Sequence, residues 1–340
     1  MNNFSKMLIE WYNLNKRTLP WKKSFDVYQI WLSEIILQQT RIEQGTPYYL
    51  KFIDKYPTIV DFANEDIGNI LKLWEGLGYY SRARNMHHTA KHIRDTYNGI
   101  FPNNYEDIRK LKGIGDYTAA AIASFSYQLP YAVVDGNVYR VLSRIFGIDI
   151  PIDTTAGKKY FQHKAQELLN KKNPAEYNQA IMDFGSLVCS PKNPQCTSCP
   201  FSSNCIAYQQ DKISTLPVKS KKLIKKKRFF HYFVFNNQQE IILHHRNNQD
   251  IWKLLYDFPC IETDSEKILD NDLKKYKIKK LPNPIQLNQV LTHQNIDAYF
   301  YDMDYLPKQI PDACIVVKVK DIQQYTFPKI IRNYLKCKNL

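Results

Sequence analysis

Glycine is scarce in this chain, 11 of 340 residues, beside abundant Lys and Asn, a composition that suggests an AT-biased genome. No apolar run approaches the roughly 18 to 20 residues that a bilayer-spanning helix needs. The opening "MNNFSKMLIEWYNLNKR" places Trp11, Asn13 and Asn15 where a signal peptide would have an unbroken apolar core. Amphipathic anchors and lipidation signals are missing as well. These absences exclude a membrane protein and predict a cytosolic one. Acidic residues are too few to balance the basic ones: 33 Asp and Glu against 47 Lys and Arg leave a formal charge of +14. Such a charge attracts a polyanion, either nucleic acid or an acidic surface. No internal repeat is evident.

What is there suits two domains and more than one core. Residues 1–212 are predicted to be mainly helical, because runs such as "WLSEIILQQT" and "GNVYRVLSRIF" carry apolar residues at three- to four-residue spacing. Residues 213–228 read as a basic linker; in "KSKKLIKKKR" seven of ten residues are basic, which suits an exposed connection near phosphate. Residues 229–340 read as a smaller α+β domain. There "FFHYFVF" and "EIILHHR", separated by "NNQQ", predict a hairpin.

The stretch "LKGIGDYTA" sets Gly113 and Gly115 at the mouth of an alanine-rich helix. A third glycine is lacking and "YEDIRKLK" before the turn reads as helix, so a dinucleotide-binding fold is a poor match. Two short helices joined by a tight turn fit better. Glycines there tolerate positive φ, and the exposed N–H groups with the positive end of the next helix make a phosphate site.

Cys189, Cys196, Cys199 and Cys205 follow the spacing C-x6-C-x2-C-x5-C. Four thiolates so close together can wrap one iron–sulfur cluster. Structural zinc is the competing reading, although zinc sites usually come as two close pairs.

Two acids stand out. Glu34 has Ile30, Trp31, Leu37 and Gln38 as helical neighbours, a mostly apolar face. Burial there raises a carboxyl's pKa and keeps it protonated, as a general acid requires. Asp135, in "YAVVDGNVYRVL", sits where a helix with Val138, Val141, Leu142 and Ile145 as its buried stripe begins. It suits an N-cap, where the helix dipole favours the anion. One protonated and one ionised carboxyl is a pattern that cleaves glycosidic bonds.

Taken together, "LKGIGDYTA" resembles the helix–hairpin–helix of the endonuclease III superfamily of DNA glycosylases, and "VDGNVYRVL" resembles its catalytic loop. Within that superfamily "LPW", "SEIILQQTR" and "WEGLGYYSRARN" resemble the adenine DNA glycosylases, the MutY family. The match runs through about residues 8 to 210. It implies a mainly α helix–hairpin–helix domain with an iron–sulfur loop over 189–205 and one 4Fe–4S cluster on the four cysteines. A smaller α+β Nudix-like recognition domain follows, resembled chiefly through "WKLLYDFP".

The implied substrate is double-stranded DNA with adenine opposite 8-oxoguanine or guanine, the adenine being flipped out of the stack. The implied enzyme is a bacterial, cytoplasmic monomer used at the nucleoid. Glu34 would protonate adenine N7, Asp135 would stabilise the cationic sugar, and Asn137 would position Asp135. Arg17, Trp21 and Gln179 match positions around the adenine pocket. Gln39, Thr40, Leu77 and Tyr79 match positions beside the opposing lesion, and Gly113 and Gly115 would hold phosphate. Bifunctional relatives carry a lysine at the Tyr117 position. A phenol cannot form the Schiff base that nicks the strand, so Tyr117 argues for a monofunctional enzyme that uses water. The alternative is an endonuclease III-like pyrimidine glycosylase and lyase.

Two departures stand out. "NID", Asn295 to Asp297, occupies the place of the family's Phe-Ser-His loop that reads 8-oxoguanine. Gln294 or Asn295 could donate hydrogen bonds in its stead. The Nudix hydrolase box is absent, so the second domain is expected to recognise rather than catalyse.

Overall fold

A computed structural model describes residues 3–340 apart from 25, 221–223, 248, 270–272, 277 and 279. Its contacts divide the chain into two compact units, Met1–Asn64 with Asn85–Lys222, and Glu65–Arg84 with Leu223–Leu340. The segment Glu65–Arg84 therefore groups with the C-terminal half, a division that a single boundary near 213–228 does not capture.

The first unit is helical: α1 (Asn3–Asn15), α2 (Val27–Leu37), α3 (Ile42–Lys55) and α4 (Ile59–Asn64) precede its break. In the second unit lies α5 (Ile67–Leu73), and α6 (Ser81–Tyr97) leads back. Then come α7 (Tyr105–Lys110), α8 (Asp116–Tyr127), α9 (Gly136–Phe146), α10 (Thr155–Leu168), α11 (Pro174–Leu187) and α12 (Ile206–Gln209). The core gathers where α8, α9 and α11 meet. Ala120 and Ala121 of α8 let its neighbours approach closely, and Val138, Val141, Leu142 and Ile145 of α9 are buried against Tyr177, Ile181 and Phe184 of α11. Each such aliphatic side chain contributes roughly 1.5–3 kcal/mol on full burial. α9 stops at Gly147, which takes φ +64, a left-handed cap that glycine adopts without strain.

The second unit holds a four-stranded sheet and a three-stranded one. Its strands are β1 (Lys226–Phe235), β2 (Glu240–His245), β3 (Tyr256–Asp257), β4 (Cys260–Thr263), β5 (Ile285–Val290), β6 (Gln294–Met303) and β7 (Cys314–Lys318). The orders are β4-β1-β6-β5 and β3-β2-β7, with β1 and β6 parallel. A last helix, α13, spans Lys329–Cys337.

Two sequence expectations change here. β1 and β2 do not form a hairpin. The turn chemistry is present, since Asn237 Oδ1 accepts from the N–H groups of Gln239 and Glu240. Only one bridge, Asn236 to Ile241, joins the two runs before they enter different sheets. The reason lies in β1, buried from Arg228 to Phe235. Both of its hydrogen-bonding edges are taken, by β4 and β6, which leaves none for β2. The basic linker also ends sooner than 228. Lys226 to Arg228 already pair with Gln294 to Ile296, and Arg228 is buried between Asp250 and Glu262. Residues 221–223 of that run lie outside the described residues.

Candidate active site

The first unit contains a cavity of about 1060 Å³ lined by Arg17, Trp21, Glu34, Tyr117, Asp135 and Gln179, with Asn137, Gln39 and Thr40 at its wall. Sequence reasoning chose all nine, and the fold brings them together from five stretches of chain. Leu77 and Tyr79 belong to the second unit.

α2 presents Glu34. Its start is fixed by Asp26, whose side chain accepts from the Gln29 N–H at 2.9 Å. Its apolar residues Ile30, Trp31, Ile35 and Ile36 are buried, which leaves the carboxyl facing the cavity. The Tyr117 hydroxyl donates to Glu34 Oε2 at 2.8 Å and lies 3.5 Å from Met182 Sδ. Burial raises the Glu34 pKa from 4.5 to about 7, against the pull of the Tyr117 bond and with a further push from the Asp135 charge. Burial, followed by the two carboxylates, holds Tyr117 well above the ordinary phenol value, so the phenol is neutral.

Asp135 caps α9. Its Oδ1 accepts from the N–H groups of Asn137 at 2.9 Å and Val138 at 2.8 Å, and its Oδ2 accepts from Asn137 Nδ2 at 2.7 Å. Burial pushes its pKa up; these donors and the Arg140 charge hold it down, and burial prevails in direction. The carboxyls are thus less sharply separated than the helix dipole alone suggests. Asn137 is held in turn: its Oδ1 accepts from Arg140 Nη2 at 2.8 Å, and Arg140 Nε donates to the Cys189 carbonyl at 2.6 Å. Gly185 allows this approach, because a Cβ there would sit 2.7 Å from Asn137 Cβ.

Sequence reasoning missed a second group. Asp183 is 2% exposed and binds two cations, Arg17 Nε at 3.1 Å and Lys22 Nζ at 2.7 Å. A lone acid in the apolar run "AIMDFG" was the available signal. Gln179 Oε1 is buried without a hydrogen-bond partner among the described residues, an arrangement that costs free energy unless a ligand donates to it. Trp21 packs its ring edgewise on Tyr49, centroids 5.4 Å apart. Gln39 takes φ +55, a left-handed conformation, at the end of α2.

At the glycine turn only Gly113 uses positive φ, +82, and a Cβ there would meet Asn85 Cβ at 2.8 Å. Gly115 is extended instead and serves as the N-cap of α8 with open space around it. Asp116, the first residue of α8, is paired with Arg109, which offsets the acid's charge at this helix end.

The four cysteines line one small apolar cavity with Ile145, Phe184 and Val188. Arg144 Nη1 approaches Cys189 Sγ at 3.6 Å. Burial pushes the thiols of Cys196, Cys199 and Cys205 up, that of Cys199 to about 11. Among the described residues no three His, Cys, Asp or Glu side chains converge on a single ion position.

Residues 32–171 match the HhH-GPD superfamily of base excision DNA repair proteins, and residues 231–337 match the NUDIX domain. The adenine DNA glycosylase of Buchnera aphidicola subsp. Schizaphis graminum is 34% identical, over 90% of this chain and 86% of that protein. Its counterpart in subsp. Baizongia pistaciae is 37% identical over 85% and 83%. The human adenine DNA glycosylase is 37% identical over 61% of this chain and 40% of its own. Among solved structures, a thermostable thymine-DNA glycosylase is similar over 61% of this chain and 95% of its own, with a TM-score of 0.57 and 29% identity. A non-covalent endonuclease III–DNA complex, 20% identical and covering the same 61% and 96% of its own chain, shares the fold with a TM-score of 0.54.

Proposed function

The chain belongs to the adenine DNA glycosylase family, and from that premise we propose that it hydrolyses the N-glycosidic bond of adenine in duplex DNA, where the adenine stands opposite 8-oxoguanine or guanine. One observation carries the chemistry: Glu34, its pKa raised to about 7, faces the same cavity as Asp135, the N-cap of α9. Protonated Glu34 gives its proton to adenine N7, and the C1′–N9 electron pair leaves with the base. Positive charge then develops on the sugar. Asp135, aimed by Asn137 and the start of α9, stabilises that charge until water adds. The unpartnered Gln179 Oε1 supports an acceptor for an exocyclic amine such as that of adenine. Asp183 keeps Arg17 and Lys22 in place at the wall.

Tyr117 supports a water-using reaction. A neutral phenol bound to Glu34 offers no amine for a Schiff base, so the strand is left intact at the abasic site. We propose that Cys189, Cys196, Cys199 and Cys205 hold one 4Fe–4S cluster. A shared cavity and an all-thiol donor set fit it, and the cluster would supply a rigid fastening of the loop over 189–205. The start of α8, beyond Gly113 and Gly115, is the phosphate contact, and the enzyme acts as a monomer.

Quantifying free base released from duplexes tests the reading. Wild-type protein is expected to release adenine opposite 8-oxoguanine and guanine, and Glu34→Gln to lose at least about a hundredfold in rate, the usual contribution of general acid catalysis. Full activity of Glu34→Gln would remove that residue from the chemistry.

A further inference from the structure

Residues 65–84 carry the turn Gly76–Tyr79, which is held from several sides inside the second unit. Gly76, Gly78 and Tyr79 all take positive φ, at +100, +74 and +47. The two glycines adopt such φ freely, so the shape of the turn is set by the groups that hold it, while Tyr79 carries the strain of a non-glycine there. From within, Trp74 Nε1 donates to the Gly78 carbonyl at 3.0 Å and Arg82 Nη2 donates to it at 3.2 Å. Leu77 is buried, whereas Tyr79 is 43% exposed, its hydroxyl bonded to that of Thr292.

The fastening to the rest of the unit runs through Glu75, the residue just before the turn. Its Oε1 accepts from Arg332 Nε at 2.7 Å and from the Phe327 N–H at 2.9 Å. Its Oε2 accepts from Arg332 Nη2 and from Lys72 Nζ, each at 3.0 Å. Arg332, on α13, is pinned in its own right by the Tyr325 carbonyl at 2.8 Å and lies over the Phe327 ring at 4.9 Å. Lys72 donates to the same Tyr325 carbonyl at 3.0 Å. Both side chains of the Glu75–Arg332 pair are 18% exposed. A bidentate, half-shielded pair of this kind fixes orientation as well as distance.

We propose that Glu75 is a positioning residue for mispair choice: tied to Arg332 on α13, it sets the turn that offers Tyr79 to the base opposite the excised one. This rests on the proposed function and on the family resemblance, which implies Tyr79 beside that base. The last helix of the NUDIX-like fold then helps decide which mispair is attacked, without touching DNA.

The test is a double-mutant cycle on the full-length protein, with duplexes bearing adenine opposite 8-oxoguanine or guanine. Glu75→Gln, which preserves shape, and Arg332→Met are each expected to weaken binding of the 8-oxoguanine duplex about tenfold and to flatten its preference over guanine. In a Tyr79→Ala background Glu75→Gln is expected to add less than about twofold, because both act through one turn. Melting curves confirm that the variants are folded. Unchanged affinity and preference in folded Glu75→Gln would overturn the inference, and so would effects of Glu75→Gln and Tyr79→Ala that simply multiply. Wild-type protein that releases adenine while Tyr79→Ala binds and discriminates normally would overturn it too, and would leave the proposed function standing.

Discussion

At the scale of single residues, Glu34 is where chemistry and stability pull in opposite directions. Its pKa is about 7 in the fold and 4.5 in its ordinary state, so between those values the folded chain binds the extra proton. Stability therefore falls as pH rises through that window, and the full cost is present above about 7. Glu34→Gln is neutral at every pH. It is expected to gain roughly 1–3 kcal/mol over wild type at pH about 8 and little at pH about 5, as read by denaturant melts. Activity follows the same proton: the adenine-release rate is expected to fall on the alkaline side of about pH 7. Tyr117→Phe removes a bond that favours the anion, so it should move that limb to higher pH; a downward shift would contradict the assignment. The acid was legible in the sequence because its helix neighbours are apolar. Tyr117, 83 residues away, was placed at the site only through the family resemblance, and its bond to Glu34 was not legible. Asp183 left one local trace, a lone acid in an apolar run, but its pairing with Arg17 and Lys22 did not, since a buried ion pair between distant stretches has no local pattern.

At the scale of elements, the site depends on how closely α11 approaches the start of α9. Gly185→Ala would place a methyl group 2.7 Å from Asn137 Cβ and 3.1 Å from its carbonyl oxygen. The expected outcome is a loss of about 1–3 kcal/mol in unfolding free energy, typical of overpacking. A fall in single-turnover rate should accompany it, because Asn137 holds Asp135. A variant with unchanged rate would mean that Asp135 tolerates movement of its cap. The cap on α9 and the glycine turn before α8 could be read from sequence, because capping and turn chemistry are local. The β1–β2 pairing could not. Its turn residues were right, but β1 is claimed along both edges by β4 and β6, a fact of tertiary structure. The same local chemistry did not tell the two glycines apart: Gly113 turns left-handed, whereas Gly115 is extended.

At the scale of the whole molecule, a formal charge of +14 should be felt as salt dependence. Duplex affinity is expected to fall by at least about a thousandfold between roughly 50 and 200 mM salt, as for proteins that neutralise six or more phosphates. A nearly flat dependence would show that the charge is spread over faces that do not meet DNA. Two domains could be foreseen from the change in texture near residue 228, but not the transfer of Glu65–Arg84 to the second unit. That transfer is made by Glu75, Lys72 and Tyr80 reaching residues 325–332, contacts more than 240 positions apart. The central claim, adenine removal by water with the strand left unbroken, meets its most direct test in one assay. Duplexes with adenine opposite 8-oxoguanine are incubated with protein and run with and without alkali, with borohydride present in a parallel reaction. Breaks at the adenine that appear only after alkali, with no protein trapped on DNA, are the expected result. Breaks without alkali together with a borohydride-trapped adduct would contradict it and assign the chain a lyase chemistry.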